Sequence, residues 1–168
     1  MGISTIRYIL EKSAKMYKDK VAITSDNESI TYSELIVKVN KVANYLNKLN
    51  LEDGSRIAVH SEKSISQVIA ILAILSTKFI VVHVSHLLKL DQVNYILDDC
   101  KISCVMTNIS KIESLDSRRE IIVLDNIDKD IFQLESEDFV TLNISSNNCA
   151  AIIYSSGSTG FPKGIVLS

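Results

Sequence analysis

The chain has 168 residues, 46% hydrophobic and 23% charged, enough for one globular domain with a sizeable core. Its 18 Lys and Arg against 20 Asp and Glu give a formal charge of −2 and are spread along the chain, which leaves no electrostatic footprint for nucleic acid. Cys100, Cys104 and Cys149 are an odd number, spaced for neither a disulfide framework nor a zinc knuckle, and read as reduced cytosolic thiols.

The N-terminus lacks the apolar core and small-residue cleavage site of a signal peptide, and Ile6 stands where a myristoylation signal needs Ser or Thr. Ile6, Ile9, Leu10, Ala14 and Tyr17 recur at helical spacing and predict an amphipathic helix over residues 4–18. "VAITS" and "SIT" flank Asp26, Asn27 and Glu28, a turn-like cluster, and predict a small hairpin. Thr31 with Glu34 three residues on forms a capping box, opening a helix with Leu35, Val39, Val42, Leu46 and Leu49 on one face. That helix ends near "NLEDG".

Strand and helix then alternate: "RIAVH", "SISQVIAILAILS", "FIVVHV", "LDQVNYILDDC", "ISCVMT" and "EIIVL". Apolar strands separated by segments of helical period predict βαβ units, and so an α/β fold with a mostly parallel sheet flanked by helices. The uncharged run Ser64–Thr77 has 14 residues, short of the roughly 20 that a membrane-spanning helix needs. Between Asp125 and Asp138 six acids face the single Lys129, and the polar stretch to Asn148 reads as a solvated excursion before the next strand, "CAAIIY".

That strand delivers the loop "SSGSTGFPKG", which holds three of the five glycines and the only proline. Glycines let backbone amides approach an anion, Ser155, Ser156, Ser158 and Thr159 add hydroxyl donors, and Lys163 adds a cation. These are the parts needed to hold a polyphosphate. The loop is not a Walker A motif, because Lys163 follows Pro162 and Gly164 stands where the magnesium-binding Ser or Thr belongs. A flexible surface loop would use the same residue types, so composition alone leaves the role open.

"IIYSSGSTGFPKG" resembles the phosphate-binding signature of the AMP-forming adenylating enzymes: acyl-CoA synthetases, peptide-synthetase adenylation domains and luciferases. The resemblance extends through "ITYSELIVKVNKVANYLNKLNLEDGSRIAV" and "QVNYILDDCKISCVMTN" to nearly the whole chain. The tract from "SEKSISQVIAILAIL" to "LLKLDQVNYILDDC" is most similar to acyl-CoA ligases. It implies that residues 1–168 are the N-terminal part of the family's large domain, with the signature at 152–164. It also implies a two-step reaction, in which a carboxylate attacks the α-phosphate of ATP and the acyl-adenylate then passes to a thiol of coenzyme A or carrier pantetheine. Carried over by position, Ser155, Ser156, Gly157, Ser158, Thr159 and Gly160 wrap the β- and γ-phosphates, Lys163 follows them, and Mg2+ bridges the phosphates.

The sequence departs from the family in one tract. "STKFIVVHVSHLLKLDQ" has Lys78 near the usual glycines and His83 and His86 near the usual prolines, which reads as divergence in a tight turn rather than a metal site. The family's adenine pocket, ribose-binding aspartate, magnesium ligand, acyl pocket and catalytic lysine lie downstream of the loop. The expectation is therefore that residues 1–168 alone neither adenylate a carboxylate nor are fully stable, and that "GIVLS" begins a strand with exposed apolar surface. A non-catalytic remnant and a convergent nucleotide-binding module are the alternatives.

Overall fold

The computed structural model describes residues 5–25, 28–115, 118–139, 149–155 and 162–168. Thr5 caps the first helix, α1 (Ile6–Met16), its hydroxyl accepting from the Tyr8 amide at 3.2 Å. The apolar face expected there is rotated: Leu10 is buried, but Ile6, Ile9 and Tyr17 are exposed and Arg7 lies inside. Burial of Arg7 is tolerated because its guanidinium is satisfied. It donates to Glu11 and Asn40, both at 2.7 Å, and lies 4.7 Å from the centroid of the Phe139 ring.

Strands β1 (Val21–Ser25) and β2 (Glu28–Thr31) form the small antiparallel hairpin, whose Asp26–Asn27 turn lies outside the described residues. Thr31 and Glu34 then close the capping box of α2 (Tyr32–Lys48): the Glu34 amide donates to the Thr31 hydroxyl at 3.3 Å, and the Thr31 amide donates to the Glu34 carboxylate at 2.7 Å. Val39, Val42, Ala43 and Leu46 on the inner face of α2 are fully buried.

The remaining elements are β3 (Arg56–His60), α3 (Ile65–Ile74), β4 (Ile80–His83), α4 (Leu90–Asp99), β5 (Cys104–Thr107), β6 (Glu120–Val123), β7 (Ala151–Ser155) and β8 (Lys163–Leu167). They build a sheet of order β6-β5-β3-β4-β7-β8, parallel except for the β7–β8 pair. From β3 the chain passes through α3 to β4 on one side, and α4 then carries it across to β5 on the other side. The sheet is covered twice. Ile57, Val59, Val81, Cys104 and Met106 pack with α2 and α3, whereas Ala58, Val82, Val105 and Ile152 pack with α4. Alternation along each strand sends successive side chains to opposite cores.

The tract lacking the expected glycines turns tightly without them. The Thr77 hydroxyl donates to the Ile74 carbonyl at 2.6 Å and that of Ser76 to the Leu72 carbonyl at 2.8 Å, capping the end of α3. Lys78 extends to Asp53 at 2.7 Å, and its carbonyl accepts from the Gly54 amide at 3.0 Å. No helix among the described residues is long and apolar enough to cross a membrane.

The acidic stretch corrects the expectation of a solvated excursion. Leu124, Ile127 and Ile131 are buried against the α2–α3 core, so residues 124–132 form helical turns docked on the domain. Polar groups of α2 hold the segment from Phe132 to Asp138: Lys41 donates to the Phe132 carbonyl at 2.8 Å, Asn40 to that of Glu137 at 2.8 Å, and Asn44 to those of Ser136 and Asp138 at 2.9 and 2.8 Å. Three apolar residues at turn spacing outweighed six charges, because the charges either face outward or, like Glu135, are met by Lys48. Residues 140–148 lie outside the described residues.

After α4, Lys101 adopts φ 48°, with its amide donating to the Asp98 carbonyl at 3.0 Å and the Ile102 amide to that of Leu97 at 2.9 Å, the left-handed helix stop that normally uses glycine. Replacing Lys101 with Gly should stabilise the fold by about 1 kcal/mol, seen as a higher urea midpoint at unchanged slope. Ile131→Ala should cost about 3 kcal/mol in the same titration if the acidic segment is docked, and almost nothing if it is solvated.

Candidate functional site

Because five strands run parallel, the carboxyl ends of β3, β4, β5 and β7 share one edge of the sheet. In open α/β sheets this is the edge where ligands bind. Strand β7 ends there at Ser155, and β8 returns from Lys163 antiparallel to it. The register pairs Ser155 with Lys163 and Tyr154 with Gly164. Of the residues expected to hold phosphate, Ser155 and Lys163 are therefore brought opposite each other, both exposed, at the mouth of the connecting stretch. Ser156, Gly157, Ser158, Thr159 and Gly160 lie outside the described residues. Pro162, just before β8, is buried.

Gly164 has a different duty from that of an anion-facing glycine. A Cβ built on it would meet Ile152 Cγ2 and Tyr154 Cζ, both at 3.3 Å, so the missing side chain makes room for the Tyr154 ring across the hairpin. Beyond that ring, the Tyr154 hydroxyl reaches the end of α4, where it lies 2.5 Å from Asp99 Oδ2 and 3.2 Å from Cys100 Sγ. The hydroxyl has one proton, and the carboxylate is the stronger acceptor. Burial, then the bonds to Asp99 and Cys100, raise the pKa of Tyr154 well above the usual phenol range, so it stays a donor. Nothing in the sequence announces this contact, which spans 55 residues.

The strand beyond Gly164 leaves apolar side chains in solvent. Ile165, Val166 and Leu167 are 50%, 63% and 43% exposed. Strand β8 is the outer strand of the sheet.

His60, Gln67 and Thr107, near the carboxyl edge, are buried. His60, at the end of β3, lies with Nδ1 3.3 Å from the Val84 carbonyl oxygen. The Thr107 hydroxyl donates to the His60 carbonyl at 2.7 Å, and Gln67 Nε2 donates to that of Ser61 at 2.9 Å. Burial lowers the pKa of His60, opposed by its bond to Val84 and reinforced by Lys111, His86 and His83. His83, exposed at the end of β4, pairs in register with Val59 and Ile153. Cys104 and Cys149 are not poised as nucleophiles: Cys104 is pushed up to about 12 by burial and then by Glu120, and burial also raises Cys149.

The sequence profile of a family described as AMP-binding enzyme matches residues 10–168. Among curated proteins, the chain is 33% identical over 168 residues to tyrocidine synthase 1 of Brevibacillus parabrevis, a match covering 97% of this chain and 15% of that protein. Among solved structures, it superposes with a TM-score of 0.88 on the inhibitor-bound N-terminal domain of FACL13 from Mycobacterium tuberculosis, at 20% identity, covering 98% of this chain and 44% of that one. An AMPPNP-bound form of the nonribosomal peptide synthetase FmoA3 gives 0.85 at 21% identity, covering 98% of this chain and 17% of that one. The chain thus spans between 15% and 44% of the length of these relatives.

The buried neutral His60 makes stability pH-dependent. The unfolded chain takes up a proton below about pH 6.5 while the folded state resists it, so stability is full above that pH and falls as pH drops toward the folded value. Urea midpoints between pH 7.5 and 5.5 should decline for the wild type, and His60→Asn, which cannot titrate, should flatten that part of the slope.

Proposed function

Since the chain belongs to the AMP-binding enzyme family, we propose that its β7–β8 hairpin is the phosphate-holding part of an ATP-dependent, AMP-forming carboxylate ligase. In this reading residues 1–168 are the N-terminal portion of the adenylation domain, and the signature at 152–164 lies over the β- and γ-phosphates of ATP. The observation that carries it is the register of Ser155 against Lys163 at the carboxyl edge of the sheet, which sets a hydroxyl and a mobile cation on either side of one loop. The AMPPNP-bound structural relative supports ATP as the nucleotide.

The chain's own residues would act by charge rather than by proton transfer. Pyrophosphate departure concentrates negative charge on the β- and γ-oxygens, and donors fixed before the reaction stabilise it without reorganising. Ser155, Ser156, Ser158 and Thr159 hydroxyls, with amides at Gly157 and Gly160, are the neutral donors, and Lys163 is the ammonium that follows the leaving group. Mg2+ would share that charge between phosphate oxygens. The carboxylate, and the thiol of coenzyme A or carrier pantetheine that receives the acyl group, would be met by other parts of the enzyme.

The first reading of the substrate is an organic acid destined for coenzyme A in the cytoplasm. A second, an amino acid loaded on a carrier protein, is favoured by the 33% identity to tyrocidine synthase 1. A hydroxylamine-trapping assay across fatty, aryl and amino acids, run on an enzyme in which these residues are joined to the rest of the adenylation domain, separates them by which acid gives a hydroxamate.

In calorimetry, MgATP and Mg-pyrophosphate should bind the 168-residue chain, and Lys163→Ala should weaken both by at least about tenfold, the usual scale for losing a charged phosphate contact. The same 168 residues should show no carboxylate-dependent exchange of labelled pyrophosphate into ATP. Equal affinity of wild type and Lys163→Ala would remove the phosphate role from the loop, and exchange by the wild type would show that these residues suffice for adenylation.

A further inference from the structure

We infer that Tyr154 is a positioning residue which, through its hydroxyl on Asp99, fixes the β7–β8 hairpin against the end of α4 and so holds Ser155 opposite Lys163 for the phosphates; this rests on the proposed phosphate-holding role of the hairpin. Four observations converge. Tyr154 is the last residue but one of β7, so whatever fixes it fixes Ser155 next to it. Its cross-strand partner is Gly164, next to Lys163, and the absent side chain there lets the ring lie against both strands. Its hydroxyl, 2.5 Å from Asp99 Oδ2 and 3.2 Å from Cys100 Sγ, leaves the hairpin altogether and ends on α4. Strand β8 is exposed along its whole length, so on the α4 side the hairpin is packed through β7, by Ile152 and the Tyr154 ring.

The physical argument is one of entropy. A hydroxyl and a cation that must be brought together when the anion arrives charge that ordering against its affinity, and a pair already held does not. The ladder of β7 on β4 holds one edge of the hairpin, and Tyr154 adds a second hold: its ring lies at the register pair next to Ser155 and Lys163, and its hydroxyl ties that pair to α4. The bond is charge-assisted, which makes it stronger than a neutral pair and short. Asp99 has no other duty in the contact, and it is exposed, so it can be changed without opening the core.

The test is calorimetric binding of Mg-pyrophosphate to the full chain, with a thermal melt of each variant. Tyr154→Phe keeps the ring over Gly164 and loses only the hydroxyl. Asp99→Ala removes the acceptor from the other side, and being a surface change it carries the test if Tyr154→Phe does not fold. Both should weaken Mg-pyrophosphate about five- to tenfold through lost preorganisation. Asp99→Asn, which keeps an oxygen acceptor but loses the charge, should fall between wild type and Asp99→Ala. A purely structural role would instead lower the melting temperature of the three variants without weakening Mg-pyrophosphate at a temperature where all are folded. If Lys163→Ala weakens binding while Tyr154→Phe and Asp99→Ala bind like wild type, the anchoring role is wrong and the phosphate loop stands. If wild type and Lys163→Ala bind alike, the loop reading fails and the anchor fails with it.

Discussion

The sheet can exist only because β3 is buried from both sides. Ile57, Ala58 and Val59 have no exposed surface, and their alternation sends Ile57 and Val59 to the α2–α3 core and Ala58 to the α4 core. A parallel sheet needs such double cover, since its crossover connections lie on the faces. The passage of α4 over β3 supplies the second layer and at the same time fixes the direction of β5. Once β3, β4, β5 and β7 run the same way, their carboxyl ends fall on one edge, and the loop after β7 has no other place to be.

That edge is where the fold becomes chemistry. The antiparallel return of β8 breaks the parallel pattern at one pair of strands, and the break is what sets Ser155 opposite Lys163. A parallel continuation would have carried Lys163 across a face of the sheet and away from the serine. Gly164 serves packing, because Ile152 and the Tyr154 ring lie 3.3 Å from where its Cβ would stand.

Helix α2 plays a corresponding role at the far end of the molecule. Its inner face holds the core, and Asn40, Lys41, Asn44 and Lys48 on its outer side bind the acidic segment by carbonyls and by the Glu135 carboxylate. Long-range hydrogen bonds of this kind are invisible to a reading of charge along the chain. The acidic run looked solvated because its six acids were weighed and the spacing of Leu124, Ile127 and Ile131 was not. The same holds for α1, where apolar periodicity alone missed a buried Arg7 that is satisfied by Glu11 and Asn40.

The sequence by itself determined the order and type of the main elements, the capping box at Thr31 and the α/β class, and it displays the glycine and hydroxyl cluster proposed to hold phosphate. Those signals are local: periodicity, a cap three residues long, and glycines and hydroxyls clustered within ten consecutive residues. Only the tertiary structure decided which face of α1 turns inward, that the acidic segment docks on α2, and that Tyr154 reaches Asp99. Each of these depends on groups 33 to 97 residues apart meeting with matched donors and acceptors. Spacing along a chain carries no record of that, because such pairs are chosen by the packing of elements that must first exist.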